Sequence, residues 1–233
     1  MRCEDMATQS IYFNRFILND EHTIEEIIDI LTENNTSSDT EKFLVQDYNN
    51  NIIDGIFITT YVSKETTFSI ENMSFESVEV VRSIGVNFSI DIGNHVIEIW
   101  GNKGNSQKLL VRLGLLFNNK VVLDSINITI PDIVKRLKKS NLTIGKVKIE
   151  DVQLQDNLIA SCVFDLSNHE KPYEILNKYK DKITQVSVVF KEANSAAITV
   201  SIYSSGSIVV YRNKESIPDD TLELIKQTCI GGA

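Results

Sequence analysis

The residues His95-Val-Ile-Glu-Ile-Trp100-Gly-Asn-Lys-Gly-Asn105-Ser-Gln-Lys-Leu-Leu110-Val-Arg-Leu-Gly-Leu115-Leu-Phe117 decide how this chain is read. Val96 to Trp100 is β-branched or aromatic except at Glu98, the composition of a short strand. Gly101 to Asn105 then supplies the glycines and asparagines that end a strand and turn the backbone. Beyond the turn, Leu109, Leu110, Leu113, Leu116 and Phe117 recur at helical spacing, and Val111 with Leu115 widens the stripe. The pattern predicts a largely buried helix capped by Asn105 or Ser106, with Trp100 in the core or at its edge.

Working outward toward the N-terminus, Thr23-Ile24-Glu25-Glu26 has the form of a capping box, in which hydroxyl and carboxylate each serve one free amide. It opens a helix whose stripe is Ile24, Ile27, Ile28 and Leu31, preceded by a strand over residues 11–18 and followed by a polar linker over 34–40. From Phe43 to Ile99 the period changes to two. Turn signals at Asn49-Asn50-Asn51, Ser63-Lys64-Glu65, Glu71-Asn72, Gly85 and Gly93-Asn94 divide that region into five or six antiparallel strands. Asp47-Tyr48-Asn49-Asn50-Asn51 is a hairpin turn. A calcium loop would need Gly where Ile52 stands and Glu where Ile58 stands.

Toward the C-terminus the reading is a strand over 120–128, a helix opened by Thr129-Ile130-Pro131-Asp132 and a hairpin about Gln155-Asp156-Asn157. A helix with Pro172 in its first turn, a three-strand meander over 185–211 and a last helix opened by Ser216-Ile217-Pro218-Asp219 complete the chain. Residues 119–139 overlay 206–226 without a gap, although local capping chemistry accounts for the shared hydroxyl, Pro and Asp. The expected class is therefore α+β, with largely antiparallel sheets, helices on one face, and recurrent strand-turn-helix units that suggest two pseudo-repeated lobes. The lobes are drawn at 1–118 and 119–233, the alternative being a single domain.

Charge supports that division. The net charge is −9, yet residues 1–118 hold 18 acids against 8 bases while residues 119–233 hold 14 against 15. Within the second lobe Lys135, Arg136, Lys138, Lys139, Lys146 and Lys148 follow one another with no acid between them. On a helix whose stripe is Ile133, Val134 and Leu137, the first four face solvent and, with Lys146 and Lys148, form a candidate contact for a partner or for phosphate.

Catalytic and cofactor chemistry is thinly represented. The three histidines, His22, His95 and His169, stand at turns or just before helices, and no phosphate-loop, dinucleotide, nucleophile-elbow or zinc-protease motif is present. Cys3, Cys162 and Cys229 share no metal-ligand spacing. No catalytic residue, metal ligand or cofactor is assigned. Neither a signal-peptide pattern nor a long apolar run is seen, so the expectation is a cytoplasmic protein with no membrane contact.

These observations favour a non-catalytic protein-interaction or assembly subunit of a bacterial or viral multiprotein system, joined by a protein partner or by its own copies. The alternative is a nucleic-acid-binding module using the basic stretch 135–148, which the net charge opposes. An enzyme without a recognisable motif is the third reading.

Overall fold

A computed structural model describes residues 8–33, 40–49, 51–140, 142–155, 158–191 and 197–231. They form a mixed α+β fold with antiparallel pairing throughout the recorded ladders. The chain divides into two compact units: Asn14–Ile99 with Lys103–Asp124, and Met1–Phe13 with Trp100–Asn102 and Ser125–Ala233. The units are thus discontinuous. The N-terminal strand belongs with the C-terminal half.

In the first unit the capping box forms as read: Thr23 N donates to Glu26 Oε2 at 2.9 Å and Glu26 N donates to Thr23 Oγ1 at 3.2 Å. Helix α1 (Ile24–Glu33) follows and buries Ile27 and Leu31. Strands β3 (Glu41–Tyr48), β4 (Ile52–Ser69), β5 (Ser74–Asp91) and β6 (Val96–Trp100) lie in that order in the sheet. Helix α2 (Lys103–Leu116) buries Leu109 and Leu113, and the two helices close a core with Phe16, Phe43, Ile53, Phe57, Phe88 and Ile90. A two-stranded pair, β2 (Ile17–Leu18) with β7 (Val121–Val122), completes the unit.

Several expectations are corrected here. The region 43–99 holds four strands, because Ser63-Lys64-Glu65 and Gly85 are not turns; β4 and β5 run through them in unbroken register from Ile52↔Asp91 to Ser69↔Ser74. Polar residues do not interrupt a strand that is wet on both faces. Helix α2 begins at Lys103, so Asn105 and Ser106 lie in its first turn, Ser106 buried. Val111 and Leu115 are exposed, so the helix is buried on one face only. The strand expected over 120–128 is only two residues long. The Asn turn is confirmed: Asn49 Oδ1 accepts from the amides of Asn51 and Ile52. Trp100 is 3% exposed.

The second unit has the strand order β1 (Gln9–Arg15), β12 (Ile208–Val210), β11 (Ile198–Tyr203), β10 (Ile183–Phe190), β8 (Thr143–Gln155), β9 (Leu158–Asp165). Paired and alternating positions place Val147, Ile149, Val186, Val188, Val200, Ile202, Ile208 and Val210 on one face, all buried. That face is covered by α3 (Ile130–Ser140), α4 (Pro172–Lys178) and α5 (Asp219–Ile230), whose buried stripes include Ile133, Leu137, Leu176 and Ile225. Linker residues 34–39, turn residues 156–157 and residues 192–196 within the meander lie outside the described residues. No helix among the described residues is long and apolar enough to cross a membrane.

Candidate functional site: an unflanked β-arm

The basic stretch is dispersed by folding. Lys135, Lys138 and Lys139 lie on the exposed side of α3, Lys135 within 3.3 Å of Asp132. Arg136, expected to face solvent, is half-buried and turned onto α5, where Nη1 donates to the carbonyls of Thr228 at 3.2 Å and Cys229 at 2.6 Å. Those carbonyls end a helix and attract a cation, so the guanidinium closes the α5 C-terminus. Lys146 and Lys148 alternate with Val147 and therefore occupy the sheet face turned away from the apolar one; Lys148 is paired with Glu150 at 2.8 Å. Three of the six bases are thus engaged internally, and the helix lysines and strand lysines fall on different sides of the sheet.

Two of the three histidines share a cavity. His22 and His95 line one open cavity of about 610 Å³ in the first unit, over a floor of Phe16, Leu18 and Ile92. Two of the cavity's three acids have other tasks. Glu26 caps α1 and stands 3.6 Å from His22 Nδ1, and Asp20 accepts from Lys120 Nζ at 2.8 Å, an interaction that holds its carboxyl below the usual range. His95 sits at φ 54° in the turn that Asp91 closes by accepting from Asn94, and its carbonyl accepts from the Phe16 amide. Among the described residues no three His, Cys, Asp or Glu side chains are grouped to hold a metal. Burial pushes the Cys229 thiol up to about 12, which keeps it protonated and inert at neutral pH.

The outer half of the β4–β5 hairpin is different in kind. Strand β3 pairs with β4 only as far as Thr59, and β6 is five residues long and follows a tight turn at Ile92–His95 that confines it to the last rungs of β5. Beyond Thr60 and Ser83 both outer edges are open among the described residues. Edge-to-edge association is normally suppressed by proline, bulges or lysine-rich edges. Residues 60–83 contain no proline, a single lysine, and a ladder without a bulge.

Its side chains are also apolar where solvent should discourage it. Val62, Phe68, Ile70, Met73, Phe75 and Val81 are 50–80% exposed. Phe68 and Phe75 stack edge-to-face at 5.2 Å. At the tip, Ser69 Oγ accepts from the Asn72 amide and Met73 adopts φ 46°. Contiguous exposed apolar surface of this kind marks interaction sites in soluble proteins.

The sequence reading missed the arm because it broke the hairpin at Ser63-Lys64-Glu65. A usable signal was present: counted outward from Glu71-Asn72, Phe68 mirrors Phe75, Lys64 mirrors Glu79 and Val62 mirrors Val81. No protein-family model matches the chain, and no curated protein does.

Proposed function

We propose that this protein is a non-catalytic interaction or assembly subunit whose partner-binding element is the outer half of the β4–β5 hairpin. One observation carries the reading: a 24-residue ribbon, Thr60 to Ser83, whose edges beyond Thr60 and Ser83 are open among the described residues and which exposes valine and phenylalanine pairs. An isolated two-stranded hairpin is marginal in water, so such a ribbon gains order from what it contacts. Its four acids and two bases add orientation to that contact.

The test shortens the arm by replacing residues 61–82 with Asn-Gly, which joins Thr60 to Ser83 through a two-residue hairpin turn. Light scattering of the purified chain, alone and with the products of neighbouring genes, is expected to show association that the shortened chain lacks while its melting temperature is kept. A full-length chain that stays strictly monomeric and binds none of those products would sink the proposal.

A further inference from the structure

The two faces of the arm differ in a way that names its partner. Residues paired directly across an antiparallel ladder share a face, and successive residues alternate. One face therefore carries the rungs Thr60–Ser83, Val62–Val81, Lys64–Glu79, Thr66–Ser77 and Phe68–Phe75. The other carries Tyr61–Arg82, Ser63–Val80, Glu65–Val78, Thr67–Glu76 and Ser69–Ser74.

Every rung of the first face is its own complement. The Thr60 and Ser83 hydroxyls meet at 2.9 Å, the Lys64 ammonium stands 3.6 Å from the Glu79 carboxylate, and the remaining rungs join valine to valine, hydroxyl to hydroxyl and ring to ring. Turning a second copy by a two-fold axis along the arm exchanges the strands. Val62 then meets Val81 of the second copy, Phe68 meets Phe75, and Lys64 meets Glu79. The second face fails the same operation, because it sets Glu65 over Val78 and Thr67 over Glu76. We infer that the arm docks on the arm of a second copy of this chain through the face of Val62, Lys64, Phe68, Phe75, Glu79 and Val81, an isologous contact.

The area sets the strength of this dimer. Ten residues at about 3.3 Å each, two strands wide with their side chains, give a footprint of roughly 500 Å² per copy. A standard specific interface covers about 800 Å² per partner, so the dimer belongs to the weak, exchanging class with a dissociation constant on the order of tens of micromolar. The inference rests on the proposed function above and specifies its partner.

The experiment is sedimentation velocity from about 1 to 500 µM, which brackets that constant. The wild-type chain should pass from monomer to dimer. Phe75→Glu with Val81→Glu should abolish the dimer, and Val78→Glu on the other face should leave it intact. These side chains are at least 44% exposed, so folding is spared, and an unchanged circular dichroism spectrum and melt verify it.

The sharper arm uses charge. Lys64→Glu sets carboxylate over carboxylate and Glu79→Lys sets ammonium over ammonium, so each variant alone should be monomeric. Their equimolar mixture should form a heterodimer, because each altered rung then meets its opposite. A wild-type chain that is monomeric throughout, a dimer indifferent to these variants, or a mixture that stays monomeric overturns the inference. If the wild-type chain is monomeric yet binds a neighbouring gene product through the arm, self-docking fails and the assembly reading stands. If dimerisation survives in the shortened chain, the arm is not the contact and both fail.

Discussion

The inner and outer halves of the β4–β5 hairpin share one ladder, one register and similar residue types, yet one is core and the other is surface. Inner rungs such as Ile53–Ile90 and Phe57–Val86 are at most 1% exposed, whereas Val62–Val81 and Phe68–Phe75 are 50–75% exposed. Two things differ. Ile53 and Phe57 lie on the β4 face that the helices cover, whereas Val62 and Phe68 lie on the opposite face. In the outer half even the continuation of the core face is open, with Tyr61 and Val78 exposed. Ile27, Leu31, Leu109, Leu113 and Phe117 of the helical layer close over the inner half, and β3 pairs beside it. Alternation in a strand therefore specifies a face without specifying that anything covers it.

The comparison breaks most sharply at the cover. Leu113 is fully buried in α2 against the inner rungs. Leu113→Asp places an unpaired carboxylate there and should cost about 4 kcal/mol or more, read as a large fall in the chemical-denaturation midpoint. An unchanged midpoint would mean that the helix does not seal the inner half.

Gly55 gives the next largest effect. It faces Phe88 across the ladder, and a Cβ there would come within 2.7 Å of both the Leu44 carbonyl oxygen and the Phe88 ring. Backbone cannot yield as a flexible side chain does, so Gly55→Ala should destabilise by roughly 1 to 3 kcal/mol despite adding one carbon. A neutral result would show that the inner ladder is loosely packed.

Outer substitutions should barely register on the same scale. Val62→Thr and Phe75→Thr keep strand-forming residues at exposed sites and are expected to change stability by about 0.5 kcal/mol or less, which urea melts can resolve. A loss comparable to that of Gly55→Ala would place these residues in a core.

The smallest effect separates the arm from the rest by pH. Asp20, Asp132, Glu150 and Asp165 are all held below the usual carboxyl range, chiefly by hydrogen bonds from Lys120, Thr129, Lys148 and Ser167 respectively. A depressed folded value stabilises the fold above the unfolded value of about 4 and loses that contribution as pH falls through the folded one. Melting temperature should be level near neutrality and decline gently below about pH 4. None of the four lies on the arm, so the shortened chain should give the same curve; a different one would assign the acid response to the arm's own glutamates.

Much of the local structure was legible from residues alone. The Thr23–Glu26 box, the Asn49 turn, Pro172 at the start of α4 and the stripes of α1 and α3 follow from hydrogen-bonding and periodicity rules that act within a few residues. The candidate sites were less legible. Arg136 looked like surface charge because the carbonyls it binds are about ninety residues away in sequence, and His22 and His95 looked unrelated because only folding brings them to one cavity.

The sequence by itself determined the class, α+β with antiparallel pairing, because side-chain period and capping are properties of neighbouring residues. Tertiary structure alone decided which strand belongs to which unit, where β4 and β5 lose their flanking strands, and which apolar rungs stay wet. Burial depends on partners distant in the chain: apolar rungs of β4 and β5 are core where the helices lie over their face and are exposed where they do not.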